Sequence, residues 1–508
     1  MPSGYYKQLI APLCAAASGA LLPLAFAPYN LTFMAFVSPV LLLLLLRQLP
    51  PFKAALLGYM FGLGYFGHGV YWVYFSIHHF GNAPLWLAVV IMLGMVAILA
   101  TYVALLAFVL NRFFSADNGL RYLLAFPSLW LALEVLRGVL FTGFPWLSLG
   151  YSQVDTVLST WAPLVGVLGV SYGVALSVGG LLCVVTQTTR RLKLIAISII
   201  STVWFSTLLL NGVTWTESAG KPINVALLQG NIPQEIKWMR SFHQINLGIY
   251  MTMSRQHRNA DLIVWPETAI PAFYHRVKAG FLSALSEEAS RYNSDIVLGL
   301  PVMSESTGNY YNGLYSVRQP EHFYFKRHLV PLGEYLPLKP FSSIILNFLN
   351  IPMSDFTAGE KHQTLLRGAG YAFASSICYE DAFQQSSLDG LPEAAYLVNV
   401  SNDTWFGDTI APYQHLQMAR MRALESGRYL LRSTNTGLTA IIDPQGNVIR
   451  QAPMFSRFSL RGEIIPLQGA TPFVQGGWWF MYAFSLGLLV LSFVLRRTTN
   501  EVINETLA

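Results

Sequence analysis

Charged residues are what this sequence lacks most. Only 11% of its 508 residues are Asp, Glu, Lys or Arg, whereas 53% are hydrophobic; ordinary soluble domains contain about 25% charged residues. So much apolar surface cannot be buried in water-soluble cores alone, which excludes a purely soluble protein and makes lipid part of the solvent. The shortage is uneven, because acidic residues are nearly absent from residues 8–212 while residues 213–470 have the composition of a globular domain.

Cysteine is scarce as well, with three residues in the whole chain. Cys14 and Cys183 lie in apolar runs, where cysteine is usually a small core residue. Cys378 has no cysteine partner in the polar half of the chain, so it is either a buried inert thiol or a reactive one. A lysine-rich tract is also missing, which argues against a nucleic-acid partner.

Eight apolar runs are long enough to span the roughly 30 Å hydrocarbon core of a bilayer. They cover residues 8–26, 31–46, 54–77, 84–110, 121–141, 159–187, 192–212 and 478–495. Residues 1–212 are therefore predicted to form a seven-span bundle, residues 213–477 a globular domain, and residues 478–508 an eighth span with a short tail.

Lysine and arginine in the connections predict the orientation of these spans. The basic residues that flank the runs are Lys7, Arg47, Lys53, Arg112, Arg121, Arg190, Arg191, Lys193, Arg496 and Arg497. They occupy alternate connections, and the intervening connections at 27–30, 78–83 and 142–158 contain none. Both termini are therefore expected in the cytoplasm and the globular domain outside it. Residues 15–17 resemble a signal-peptide cleavage site, but the apolar run continues through them, which favours an uncleaved anchor.

Within the globular part the pattern changes to alternating strands and helices. Strands are predicted at residues 225–228, 262–265, 296–298, 372–377 and 395–400, a hairpin at 441–449, and helices at 281–292 and 413–426. Such alternation indicates layers of sheet and helix around one core.

Three of these segments end abruptly in a reactive side chain. Glu267 follows the strand Leu-Ile-Val-Trp-Pro, where apolar neighbours would raise its pKa toward that of a general base; taken alone, the residue is better explained as a surface acid capping the next turn. Lys326 could stabilise an oxyanion or be a solvated edge charge. Cys378, at the end of an apolar strand, fits a nucleophile on a tight strand-to-helix turn that Glu267 and Lys326 could activate.

Together these motifs resemble the Glu-Lys-Cys triad of the nitrilase superfamily. The order Trp-Pro-Glu267, Lys326-x-His-Leu-Val-Pro-x-Gly-Glu334 and Cys378-Tyr379-Glu380, with flanking spans and residues 400–407 (Val-Ser-Asn-Asp-Thr-Trp-Phe-Gly), is similar to the bacterial apolipoprotein N-acyltransferase family. Residues 143–146, 414–425 and 432–437 also resemble that family.

The resemblance implies an α-β-β-α sandwich on the outer face of an inner-membrane bundle and a two-step acyl transfer without metal or cofactor. Cys378 would take an acyl chain from a phospholipid, typically phosphatidylethanolamine, and pass it to the α-amine of a diacylglyceryl-cysteine on an apolipoprotein. It implies that Glu267 is the base and that Lys326 and the Tyr379 N–H bind the oxyanion. Glu334 and Glu380 take supporting roles, and either could contact Lys326.

Both substrates carry acyl tails, so the site is expected to open toward lipid. Residues 342–356, with Leu346 and Phe348, are too apolar for an ordinary solvent loop and are predicted to form a mouth for tails together with Phe144 and Trp146; core packing is the alternative reading of the loop. Trp238 matches a substrate-contact position of the family.

Two rival functions remain open from sequence. The first is a membrane-tethered amidase that uses the same triad, which an apolar mouth argues against. The second is a transporter with a non-catalytic outer domain. That reading predicts paired ionisable residues near the midplane, and only Glu134 and Arg137 are candidates.

Overall fold

A computed structural model describes residues 3–115, 118–319, 321–331, 333–335, 355–477 and 479–507. The chain divides into two compact units. The first comprises Met1–Tyr74, Trp86–Val213 and Gly476–Ala508, and the second comprises Phe75–Leu85 and Thr214–Gln475. The short segment Phe75–Leu85 therefore groups with the globular unit although its sequence neighbours are bundle helices.

The first unit is helical. Its main helices are α1 (Ser3–Leu21), α2 (Met34–Leu45), α3 (Pro51–Gly69), α4 (Leu85–Phe113), α5 (Phe126–Val139), α6 (Ala162–Thr186), α7 (Arg190–Leu210) and, at the far end of the chain, a helix at Trp479–Leu507. Five helical stretches in the described chain are long and apolar enough to cross a membrane, namely Leu85–Phe113, Arg121–Thr142, Val157–Thr186, Arg190–Leu210 and Trp479–Arg497. The multi-pass character is thus supported, and the count of eight stays a prediction.

The remaining apolar runs form shorter or more polar helices. The helix α2 has 12 residues, which at 1.5 Å each is about 18 Å and shorter than the hydrocarbon core. The predicted span at 54–77 is wrong in its extent, because α3 ends at Gly69, where Val70 leaves the helical region with φ −130°. Beyond that point only short helical turns occur, Val73–Phe75 and Ser76–Phe80.

Small residues let α3 pack tightly against its neighbours. A Cβ added at Gly64 would lie 1.9 Å from the carbonyl oxygen of Ala16 in α1, and one at Gly62 would lie 2.6 Å from the Cα of Ala100 in α4. Close backbone approach through small residues is how helices associate where lipid removes the hydrophobic driving force. The glycines of α3 therefore serve packing.

Glu134 and Arg137 of α5 bind the backbone of the loop that follows. The Glu134 Oε1 accepts hydrogen bonds from the Leu149 N–H at 2.8 Å and from the Trp130 Nε1 at 2.9 Å. The Arg137 Nη1 donates to the carbonyl oxygens of Phe144, at 3.0 Å, and Trp146. These two buried side chains therefore hold the backbone of a loop. This structural role explains their presence without a transport pathway.

The second unit is built on two six-stranded sheets. The first has the order β13-β2-β3-β4-β5-β6 and the second β12-β11-β10-β9-β8-β7. The strands of the first sheet are β2 (Ile223–Gln229), β3 (Leu262–Val264), β4 (Asp295–Met303), β5 (Tyr310–Ser316), β6 (Phe323–Phe325) and β13 (Phe458–Ile464). Those of the second are β7 (Leu366–Gly368), β8 (Tyr371–Ile377), β9 (Tyr396–Ser401), β10 (Leu430–Thr434), β11 (Ala440–Ile442) and β12 (Val448–Gln451), while β1 (Thr216–Ser218) pairs with β14 (Leu467–Gly469) apart from both.

The two sheets face each other and carry helices on their outer faces. The Ser433 hydroxyl of β10 donates to the carbonyl oxygens of Leu228 and Val264 in the opposite sheet, at 3.1 and 3.2 Å. Helices α8 (His243–Arg255) and α9 (Ser283–Arg291) pack in one apolar core with the first sheet, and α10 (Ala411–Ser426) packs in another with the second. This layering confirms the predicted α-β-β-α sandwich.

Parallel pairing places the reactive ends of several strands at one edge. β2, β3 and β4 run parallel in one sheet, and β8, β9 and β10 run parallel in the other. The carboxyl ends of parallel strands are where α/β folds collect their functional side chains. Glu267 follows β3 and Cys378 follows β8, so each sheet delivers one of the two predicted reactive groups.

Candidate active site

Cys378 sits at the first position of a tight turn directly after β8. The turn is a short 3-10 helix, Cys378–Ala382, and the cysteine has φ +53°, in the left-handed region that non-glycine residues avoid. Holding a residue there costs about 1–2 kcal/mol, so the surrounding structure must impose it. The sharp strand-to-helix turn predicted for the thiol is confirmed as local geometry.

Glu380 is the brace of this turn. Its Oε2 accepts hydrogen bonds from the Ile377 N–H, at 2.8 Å, and from the Tyr324 hydroxyl, at 2.9 Å. Its Oε1 accepts from the N–H groups of Arg327, at 2.8 Å, and His328, at 3.1 Å. Burial raises the pKa of Glu380. This fully buried carboxylate therefore links the Cys378 turn, which follows β8 of the second sheet, to the segment that follows β6 of the first sheet.

Lys326 lies between two carboxylates directly after β6. Its Nζ is 2.8 Å from the Glu334 Oε2 and 3.8 Å from the Glu267 Oε1, and all three side chains are largely or fully buried. The question left open by the sequence is thus answered by the structure: Glu334 contacts Lys326, whereas Glu380 braces the cysteine turn. Because the charges of Glu334 and Glu267 outweigh the effect of burial, the pKa of Lys326 is raised and the amine stays cationic.

Asn312 completes this cluster, and sequence reasoning missed it. Its Nδ2 donates to the Glu267 Oε1 at 2.7 Å and to the Glu334 Oε1 at 3.0 Å. Asn312 lies within β5, between Tyr311 and Gly313, and no local signal distinguished it from an ordinary strand residue. It bridges the two carboxylates that lie beside Lys326 and so helps to fix the position of Glu267.

The electrostatics of the three predicted catalytic residues are mutually coupled. The pKa of Cys378 is raised to about 12, chiefly by burial and next by the charge of Glu267, while the charge of Lys326 opposes the rise. Burial also raises the pKa of Glu267, because Lys326 lies closer to Glu334 and only partly offsets the loss of water. A thiol that holds its proton beside a carboxylate of raised pKa is the arrangement that a general base needs to take that proton.

Lys237 is a second buried cation beside Glu267, and the sequence analysis did not identify it. Its Nζ donates to the carbonyl oxygen of Glu267 at 3.3 Å, and burial lowers its pKa to about 8, with Glu267 opposing the change. The predicted substrate residue Trp238 is half-buried and directly follows Lys237, so the turn Gln234–Lys237 holds it near the backbone of the base.

The other predicted substrate contacts lie elsewhere. Phe144 and Trp146 belong to the first unit, where their rings stack with centroids 6.1 Å apart and Trp146 also packs 5.1 Å from Trp72. Leu346 and Phe348 lie outside the described residues, as does most of the apolar loop that contains them. Their roles stay predictions.

Comparison with known proteins covers nearly the whole chain. Residues 18–180 match the family model described as the apolipoprotein N-acyltransferase N-terminal domain, and residues 224–461 match the carbon-nitrogen hydrolase model. The apolipoprotein N-acyltransferase of Methylococcus capsulatus is 46% identical over 96% of each chain. This chain is also similar to two further proteins of that name. The one from Pseudomonas aeruginosa is 42% identical over 96% of each chain, and the one from Coxiella burnetii is 40% identical over 94% of this chain and 98% of the relative.

Proposed function

Because this chain belongs to the apolipoprotein N-acyltransferase family, we propose that it moves an acyl chain from a phospholipid to the amino terminus of lipoproteins. The acceptor is the α-amine of an N-terminal diacylglyceryl-cysteine, and phosphatidylethanolamine is the donor that we take as typical. The observation that supports this most is the position of the Cys378 thiol. It follows the carboxyl end of β8, where the charges of Glu267 and Lys326 both act on its pKa.

In the first half-reaction, Glu267 takes the thiol proton and Cys378 attacks the ester carbonyl of the phospholipid. The carbonyl oxygen becomes an oxyanion, which Lys326 and the Tyr379 N–H stabilise. When the tetrahedral intermediate collapses, the C–O bond breaks and the lysophospholipid leaves with the proton that Glu267 held. The acyl chain remains on sulfur as a thioester.

In the second half-reaction, the free α-amine attacks the thioester carbonyl through the same oxyanion site. Glu267 takes a proton from the amine, the C–S bond breaks, and the thiolate recovers that proton. One acyl-enzyme thus serves two transfers, which predicts ping-pong kinetics. Glu334 and Asn312 keep Lys326 and Glu267 in place through both halves.

The amidase alternative is not favoured. Relatives that match the chain from end to end carry the transferase name, and the apolar helices that precede the sandwich are of no use to an enzyme that hydrolyses small soluble amides.

The direct test is intact-mass and peptide mass spectrometry of the full-length protein in detergent micelles with 1-palmitoyl-2-oleoyl phosphatidylethanolamine. We expect a palmitoyl adduct on the Cys378 peptide that disappears when a diacylglyceryl-cysteinyl peptide is added and becomes N-acylated. Cys378→Ala should carry no adduct. The family resemblance implies that the sn-1 chain, here palmitoyl, is the one transferred. An oleoyl adduct would contradict that assignment, and no adduct in the wild type would reject the transferase mechanism.

For the membrane arrangement we propose an inner-membrane protein with both termini cytoplasmic. The bundle covers residues 1–212 and 478–508, and the catalytic domain, residues 213–477, is periplasmic. Support comes from the basic residues of alternate connections. Ser306 and Thr188 are both exposed and suit a matched pair of cysteine variants. An impermeant maleimide should label Ser306→Cys in intact spheroplasts and Thr188→Cys only after permeabilisation; the reverse pattern would invert the topology.

A further inference from the structure

His415 contacts the backbone carbonyl of Cys378. It lies in α10, is fully buried, and its Nε2 is 3.1 Å from the carbonyl oxygen of Cys378. A carbonyl oxygen can only accept a hydrogen bond, so the Nε2 must carry the hydrogen. The ring therefore donates to the peptide that joins Cys378 to Tyr379.

The other ring nitrogen is held by a guanidinium. The Arg432 Nη2 is 2.9 Å from the His415 Nδ1, and because arginine only donates, the Nδ1 must accept. This contact fixes the neutral tautomer with its hydrogen on Nε2, and the Asp403 Oδ1, at 3.2 Å from the Nδ1, is bound by the same Nη2 group at 3.2 Å.

Arg432 is itself immobilised by buried acceptors. Its Nη2 also donates to the Asp403 Oδ2 at 3.0 Å, and its Nη1 donates to the Asp381 Oδ2 at 2.9 Å and to the Asn399 Oδ1 at 2.6 Å. Although burial raises the pKa of Asp403, the charge of Arg432 and the hydrogen bond from the Ser401 hydroxyl hold it below the usual range, so the carboxylate stays ionised. The imidazole is thus set in one orientation by groups from β9, β10 and the cysteine turn.

The peptide that His415 contacts is the one whose N–H is assigned to the oxyanion. In a planar trans peptide the C=O and the N–H point in opposite directions, so holding the Cys378 carbonyl from one side aims the Tyr379 N–H at the other. A hydrogen bond to the carbonyl also polarises the amide and strengthens its N–H as a donor. Since Cys378 has a strained, left-handed φ of +53°, this peptide needs such an external restraint.

We propose that His415 is a positioning residue that aims the Tyr379 N–H at the oxyanion of both half-reactions. The inference rests on the proposed acyl transfer through Cys378. It differs from any role as an acid or base, because the Nε2 hydrogen is engaged by the backbone carbonyl of Cys378.

The test separates oxyanion chemistry from thiol reactivity in the full-length protein. The rate of Cys378 acylation by 1,2-dipalmitoyl phosphatidylethanolamine in mixed micelles is compared with the rate of its alkylation by iodoacetamide, both followed on the Cys378 peptide. Alkylation at sulfur develops no oxyanion. For His415→Leu we expect acylation to slow by about 10- to 100-fold, somewhat less than loss of an oxyanion donor, with alkylation close to the wild-type rate.

Two variants complete the set. His415→Gln places an amide donor near the Nε2 position and should recover most of the acylation rate. His257→Leu is the matched control: His257 is also buried in this domain and accepts a hydrogen bond from the Arg461 Nε at 2.8 Å, and its loss should leave both rates as in the wild type.

Parallel loss of both rates in His415→Leu, or loss of neither, would overturn the inference while leaving the transferase mechanism intact. If the wild type forms no acyl adduct, the proposed function and the inference fail together. Should the leucine variant not fold, Gln is compared with Asn, whose amide reaches only the Nδ1 position. Faster acylation with Gln supports the inference, and equal rates contradict it.

Discussion

Replacing Asn312 with leucine is the sharpest probe of how the base is tuned. The side chain is buried, and its amide donates to the carboxylates of Glu267 at 2.7 Å and Glu334 at 3.0 Å. Leucine has a similar size but no donor, so the substitution removes both hydrogen bonds with little change in packing. Because a carboxylate accepts such a bond only weakly once it is protonated, the loss falls mainly on the ionised form.

The expected shift follows from the strength of one such bond. A hydrogen bond to a charged group contributes about 1.5–3 kcal/mol, and 1.36 kcal/mol corresponds to one pKa unit. The pKa of Glu267 should therefore rise by about 1–2 units in Asn312→Leu. Since Glu267 must be ionised to act as a base, the acid limb of the rate profile should move to higher pH by the same amount.

The assay is the rate of acyl-enzyme formation with phosphatidylethanolamine between about pH 5 and about pH 9. Asn447→Leu is the matched control, because the Asn447 amide also donates to a carboxylate, the Asp443 Oδ2, at 3.0 Å, but in an exposed hairpin turn. Its profile should coincide with that of the wild type. An acid limb that stays in place in Asn312→Leu, or that moves to lower pH, would refute the reasoning.

Three further predictions concern the same neighbourhood. Lys237→Met should raise the unfolding temperature at pH 7, because a pKa lowered by burial from 10.5 to about 8 means that the folded state holds the cation at a cost of up to about 3 kcal/mol. This cost declines as pH rises from 8 through 10.5, so a gain that persists undiminished at pH 10 would contradict the assignment. Glu380→Gln should destabilise the domain by about 2–5 kcal/mol in thermal unfolding, since its amide nitrogen cannot accept from two of the four donors; a neutral result would show that the turn does not depend on that carboxylate. Gly299→Ala should slow acylation by about 10- to 100-fold, because the added Cβ would lie 2.8 Å from the Cα of Glu267, whereas Gly248→Ala, with open space around the new methyl, should keep full activity; equal activity of the two variants would mean that the base tolerates displacement.

The sequence was informative where a candidate residue directly follows a single predicted strand. Glu267, Lys326 and Cys378 each follow a short apolar run, so their positions at strand ends could be read locally. The hairpin predicted at 441–449 is confirmed as β11 and β12 with a turn at Asp443. The predicted strand at 372–377 and the predicted helix at 413–426 are confirmed within two residues at each end.

What escaped prediction depends on pairing between distant strands. Asn312 acts only because β5 places it opposite Glu267 and Glu334, which lie 45 and 22 residues away along the chain. Lys237 was missed because the sequence does not show that it is buried. Its burial follows from the fold of the short turn Gln234–Lys237. His415 lies in the segment 414–425 that resembles the family, and only the fold shows that it is fully buried against the Cys378 carbonyl.

The membrane part shows a different limit. Apolar length predicted the helices well where they are long, as in α4 and α6, but not where α3 ends at Gly69 and the chain continues into Phe75–Leu85. Val70, Val73, Phe75 and Ile77 keep the hydropathy high beyond the true end of that helix. Hydropathy records how apolar a segment is, and it does not record which unit the segment packs with.

The closing strand β13 has a consequence for the order in which the protein matures. It pairs along the whole of β2, from Phe458 opposite Gln229 to Ile464 opposite Ile223, although more than two hundred residues are synthesised between the two strands. Until that last strand leaves the ribosome the first sheet keeps an open edge. Cys378, on the second sheet, is made before then, yet Glu267 and Lys326, which we propose activate it, belong to the sheet that still lacks β13. Acyl transfer through Cys378, as we propose it, therefore has to wait until β13 has been made and has paired with β2.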